Sequence, residues 1–127
     1  MSLAAKPTDA ELAILRVLWE RGPSTVRQVH EVMSAERELG YTTVLKMLQI
    51  MDEKGLVQRD GSERVHVFAA AASQAETQRS LLDDLMEKAF GGSSLSLVMQ
   101  ALATRRASRE ELDSIRRMLD DAERGKP

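Results

Sequence analysis

Apolar residues recur along this chain at two distinct periods. After Pro7-Thr8-Asp9-Ala10-Glu11, the positions Leu12, Leu15, Leu18 and Trp19 follow helical spacing, and Gly22-Pro23 ends the run. Thr8 with Glu11 three residues later is a capping-box pattern. Ser24-Thr25 offers a second cap, and Val26, Val29, Val32 and Met33 mark the inner face of a short second helix. It ends near Ala35, and Glu36 to Gly40 form a turn. The third helix is the most regular: Val44, Met47, Leu48 and Met51 fall at i, i+3, i+4 and i+7. Gly55 closes it.

The period then changes to that of strands. Leu56-Val57-Gln58-Arg59 and Arg64-Val65-His66-Val67-Phe68 flank Asp60-Gly61-Ser62-Glu63, which predicts a β-hairpin. A lone hairpin is marginal, so it must lean on the helices. Ala69 to Ser73 form a junction. A fourth helix over Gln74–Phe90 carries Leu81, Leu82, Leu85, Met86 and Phe90, and Gly91-Gly92-Ser93-Ser94 interrupts it. Leu95, Leu97, Val98 and Leu102 belong to a fifth helix. Ser108 and Glu111 cap a sixth, whose stripe is Leu112, Ile115, Met118 and Leu119.

Three helices followed by a hairpin is the winged-helix order, in which the third helix enters the DNA major groove and the hairpin flanks it. The expected fold is mainly α with a small β-hairpin wing: a winged helix-turn-helix domain over residues 1–72, then a helical dimerisation region over 73–127. Thr42, Thr43, Lys46, Gln49, Ile50 and Glu53 cluster on the face of the third helix opposite its apolar stripe. Thr42 and Thr43 suit phosphates, base edges or thymine methyls, and Lys46 and Gln49 are longer polar readers. Tyr41, at the helix entrance, can bond a phosphate. Ile50 is out of place on a polar face and is expected to pack under the wing.

A solvated helix shows a polar face too. What distinguishes this one is that Leu39 to Met51 holds no acidic residue and one Lys. Arg27, Arg59, Arg64 and His66 extend the positive patch. Overall charge does not help, since the net is −2 and each half holds 9 Lys+Arg against 10 Asp+Glu. A nucleic-acid surface must therefore be local, with modest non-specific affinity.

Composition narrows the rest. Of the 127 residues, 43% are hydrophobic and 30% charged, which suits a packed, helix-rich domain. There is no cysteine, so disulfides, thiolate zinc sites and cysteine nucleophiles are excluded. The start, Met1 to Lys6, is too short and too weakly apolar for a signal peptide, and no run is long enough to span a membrane, so a cytoplasmic protein is expected. His30 and His66 stand far apart, with no nucleophile grouping or phosphate loop, so no enzyme and no cofactor are expected.

The run Gly40 to Val57, with Tyr41-Thr42-Thr43-Val44, Leu48 and Lys54-Gly55-Leu56-Val57, resembles the recognition segment of the penicillinase/methicillin-resistance repressor family. Thr8 to Leu15 with Leu18-Trp19, Arg64 to Phe68, and Phe90-Gly91-Gly92-Ser93 with Leu97-Val98 are similar to it as well. The resemblance implies a homodimeric repressor on inverted-repeat operators in double-stranded DNA, controlling beta-lactam or cell-envelope stress response genes. It implies DNA readers at Thr42, Thr43 and Lys46, with wing support near Arg64. Dimer contacts fall on Leu97, Val98, Leu102, Leu112, Ile115 and Leu119. An internal core would use the same residues, but three short helices bury little alone, which favours pairing between chains.

The family's inactivating sensor protease cuts an Asn–Phe step, and the matching switch region here is Ser93-Ser94. A copper-responsive branch carries tail cysteines, which this chain lacks. Two other functions suit a winged helix: a small-molecule-responsive regulator and a protein-interaction module. The aromatic-poor chain offers little for the first, and the acid-free helix face argues against the second.

Overall fold

Thr8 opens α1 (Asp9–Arg21) by the expected reciprocal cap: its hydroxyl accepts from the Glu11 amide, and the Glu11 carboxylate accepts from the Thr8 amide. A computed structural model describes residues 6–125, so Met1–Ala5, most of the segment weighed as a signal peptide, lie outside the described residues. Thr25 and Gln28 cap α2 (Val26–Ser34) in the same way. The third helix, α3 (Tyr41–Lys54), begins at Gly40 with no side-chain cap and ends at Gly55 in the left-handed region, φ 80°. That conformation disfavours a Cβ, so Gly55→Ala is expected to cost about 1 kcal/mol, read as a lower urea midpoint.

The three helices pack around Ile14, Leu15 and Leu18 of α1, Val29 and Met33 of α2, and Val44, Leu48 and Met51 of α3, all buried. The hairpin leans on this core through Leu56, Val57 and Phe68.

Two features of the sheet differ from expectation. A short strand, β1 (Ser24–Thr25), precedes α2, and the sheet has three antiparallel strands in the order β1-β3-β2. The wing strands are β2 (Val57–Asp60) and β3 (Val67–Ala70), so Arg64, Val65 and His66 lie in the connecting loop and not in the expected second strand. Two contacts set this register. The Asp60 carboxylate accepts the Ser62 amide at 2.9 Å, which turns the chain out of the ladder. Pairing of Ser24 with Phe68 and Thr25 with Val67 then holds β3 further along the chain. The ladder continues as Ala71 donates to the Leu56 carbonyl, so part of the expected junction is strand.

After the sheet come α4 (Gln74–Ala89), α5 (Ser94–Thr104) and α6 (Arg109–Glu123). Ser73 with Glu76 and Ser108 with Glu111 form further capping boxes. The chain divides into two compact units, residues 1–84 and 85–127. The first unit thus runs past residue 72 into α4. Thr77 is only 2% exposed, and the Trp19 indole donates to the Ala72 carbonyl at 3.0 Å. Lys6 meets Asp84 at 2.9 Å.

In the second unit no described residue is buried. Leu97, Leu112 and Ile115 are half-buried. Leu95, Val98, Met99, Leu102, Met118 and Leu119 are exposed. Among the described residues no helix is long and apolar enough to cross a membrane.

Candidate nucleic-acid interface

Helical geometry sorts the outer residues of α3 into two stripes. Tyr41, Leu45 and Gln49, at i, i+4 and i+8, line one side of a cleft under the wing. Thr43, Lys46, Ile50 and Glu53 face away from the core, and all four are exposed, as is Thr42. Ile50 is therefore not under the wing: it is 38% exposed and takes no part in the cleft wall, where Leu45 stands instead. The reason is angular. Residue 50 lies one turn beyond Lys46 on the outward stripe, whereas residue 45 lies between the buried and outward faces.

The cleft holds about 340 Å³ between α2, α3 and the wing. Arg27 reaches it from the first turn of α2, Arg59 from β2, and Arg64 and His66 from the wing loop. Tyr41 and Gln49 add polar atoms, over a floor that includes Val26 and Phe68. The structure thus gathers Arg27, Tyr41, Gln49, Arg59 and Arg64 about one opening, with Thr42, Thr43 and Lys46 on the neighbouring face of α3. Thr25 and Val65 also line the cleft, and sequence reasoning missed both as site residues. The signal for Val65 is an apolar residue between Arg64 and His66, a pattern that strand alternation also produces.

The guanidiniums are available to a ligand. Arg27 meets Glu31 at 3.6 Å, but both side chains are well exposed, so the pair holds Arg27 weakly. Asp60, an acid at the base of the wing, is engaged: the Ser62 amide holds its carboxyl below the ordinary value.

The entrance to α3 is pinned from α2. The His30 Nε2–H donates to the Leu39 carbonyl at 2.8 Å, which fixes the tautomer. The same ring stands edge-on to Tyr41, with centroids 5.9 Å apart. The far end of α3 is pinned from α1, where Lys54 Nζ meets the buried Glu11 carboxylate at 2.6 Å. Burial alone would raise the Glu11 carboxyl. The Lys54 hydrogen bond, the Thr8 amide and the Lys54 charge outweigh it and hold the group below its ordinary value. Both ends of the helix are thereby fixed to the scaffold.

The first turn of α3 has a different character from the other helix starts. No side chain caps it, no acid stands in it, and Gly40 presents only backbone. The free amides and the helix dipole there favour an approaching anion. Among the described residues no cluster of three or more His, Cys, Asp or Glu could hold a metal ion.

A family model described as "Penicillinase repressor" matches residues 7–121. The "Transcriptional regulator BlaI" of Mycobacterium tuberculosis is 36% identical over 118 residues, covering 92% of this chain and 85% of the relative. The "Penicillinase repressor" of Staphylococcus aureus is 17% identical over 112 residues, covering 88% of this chain and 89% of that protein. Among solved structures, the monomeric form of Bacillus licheniformis BlaI in complex with the blaP half-operator superposes with a TM-score of 0.53. At 22% identity, it covers 60% of this chain and 93% of that one, and the likeness speaks for the fold.

Proposed function

Because the chain belongs to the penicillinase repressor family, a family of repressors and not of enzymes, we propose that it is a cytoplasmic transcriptional repressor binding operator DNA as a homodimer. The observation that carries this is the exposed, acid-free outer face of α3 beside the arginine-lined cleft. Thr42, Thr43 and Lys46 face base edges and phosphates, Gln49 extends the reading surface, and Tyr41, Arg27, Arg59 and Arg64 bind the flanking backbone. The exposed apolar residues of α5 and α6 support pairing between copies, through Leu97, Val98, Leu102, Leu112, Ile115 and Leu119. Two heads related by a two-fold axis require an inverted repeat. The names of two relatives, a penicillinase repressor and a methicillin resistance regulatory protein, support beta-lactam response genes as the regulated set.

An inactivating sensor protease would act in the segment before α5. Gly91 and Gly92 have positive φ, and Ser93 caps the helix by accepting the Ser96 amide at 3.1 Å. Cutting the Ser93–Ser94 bond would remove both this cap and the link to α5 and α6.

A mobility-shift assay on the DNA upstream of its own gene tests the proposal. A retarded, sequence-specific complex is expected, and none at low salt would overturn it. Two substitutions refine the test. Thr43→Ala should cost about 1–2 kcal/mol and relax preference at one symmetric pair of operator positions. Lys46→Ala should weaken binding and, by removing a phosphate contact, make the salt dependence shallower by about one unit of slope in each half-site.

A further inference from the structure

The turn between α2 and α3, residues 35–40, has to deliver the recognition helix to its ligand, yet little holds it. Its backbone bonds lie in the first part, where Ala35 donates to the Val32 carbonyl and Glu36 and Arg37 donate to that of Met33. No residue of the turn is buried. Among the described residues one side-chain hydrogen bond reaches it, from the His30 Nε2–H to the Leu39 carbonyl. His30 is itself half-buried on α2, next to Val29, which is fully buried in the core. It therefore carries the rigidity of the core to the end of the turn. The same ring stands at 76° to the ring of Tyr41, the first residue of α3. One imidazole thus touches the residues on both sides of Gly40.

This arrangement solves a specific problem. A side-chain cap would fix the start of α3, but it would occupy amides that an approaching phosphate uses. A donor that grips the carbonyl of the residue before the N-cap fixes the same start from behind and leaves those amides open. Tyr41, at 47% exposure, has room to change rotamer, and the edge-on imidazole restricts it.

We infer that His30 is a positioning residue for operator recognition: it touches no DNA, and it holds the uncapped start of α3 and the Tyr41 ring where both can meet phosphate. The inference rests on the operator binding proposed above and adds a residue from outside the recognition face.

The test measures binding of full-length variants to the DNA upstream of the protein's own gene, across a range of salt. His30→Phe keeps a ring beside Tyr41 and loses the donor, and it should weaken binding roughly tenfold. His30→Gln keeps an N–H donor and should bind within about threefold of the parent. The salt slope should stay parental in both, because no cation leaves a phosphate. Tyr41→Phe removes the hydroxyl that His30 helps to place, so the cost of His30→Phe should shrink to about threefold in that background. Helical content is checked for each variant, and His30→Leu carries the same expectation as His30→Phe should the latter not fold. A parent that fails to bind overturns operator recognition and this inference together. With a binding parent, three results overturn the inference alone. These are parental affinity in the variants lacking the donor, no recovery in His30→Gln, and losses strictly additive with Tyr41→Phe. A slope shallower by about one unit in each half-site would overturn it too, by making His30 a direct phosphate contact.

Discussion

Replacing Leu119 by Asp in the full chain is expected to weaken operator binding by about 100- to 10,000-fold, the range set by loss of effective concentration between two linked heads. Leu119 is 58% exposed in a single copy, so a charge there costs the isolated chain little. It becomes costly only where a second copy covers the position, because an unpaired charge then loses its water. The variant should give a monomer mass by light scattering and keep the helical content of the parent. DNA geometry supplies an independent arm. Inserting about 5 bp between half-sites turns one of them to the opposite side of the duplex. The parent protein on that altered operator should bind as weakly as the variant does on the intact one. A dimeric, tightly binding Leu119→Asp variant would remove α6 from the pairing surface. Undiminished binding after the insertion would exclude two heads on one face of the duplex.

Substituting Lys54→Met should destabilise the protein by about 3 kcal/mol at neutral pH, near the lower end for stranding one member of a buried pair. Glu11 is 5% exposed and would keep a buried carboxylate without its cation, while Lys54, at 28% side-chain exposure, has some access to water. The pH dependence identifies the cause. The Glu11 carboxyl is held low in the folded protein, so its contribution is present above the unfolded value and is lost as pH falls through the folded one. In Lys54→Met the Lys54 hydrogen bond and charge are gone and only the Thr8 bonds oppose burial, so the carboxyl rises relative to the parent and its protonation costs the fold less. The gap between parent and variant should therefore narrow steadily as pH drops through the carboxylate range. Urea denaturation at neutral and acidic pH measures this, and a gap independent of pH would place the loss in packing instead.

Local order was the most legible part of the sequence. Thr8 with Glu11 and Ser108 with Glu111 announce helix starts within four residues, and the Val44–Leu48–Met51 period defines the buried side of α3 without reference to anything distant. The outward placement of Thr42, Thr43 and Lys46 follows from the same period. What stayed hidden depends on tertiary contact. β1 is two residues long, too short for any alternation, and exists because Phe68 and Val67 arrive beside it. The same pairing moves β3 along the chain and releases Arg64 to His66 into the loop. Lys54 and Glu11 are both ordinary surface types in sequence, and only packing brings them to 2.6 Å. The Ala-rich stretch before α4 resembles a linker, yet the Trp19 hydrogen bond to Ala72 fastens it to the head.

Gly40 illustrates how local stability can be set aside. Its backbone, φ −76° and ψ 154°, lies where any residue is comfortable, and a Cβ added there would meet nothing within 4 Å. Neither conformation nor space calls for glycine, and Ser, Asp or Asn would cap the helix better by a few tenths of a kcal/mol. The neighbouring helices accept that gain; α3 forgoes it. A side-chain oxygen at position 40 would occupy the same amides that an incoming phosphate needs, and an Asp would repel it. Selection for a more thermostable head would therefore be expected to find position 40 early, and to yield a protein that survives heating better and represses less well.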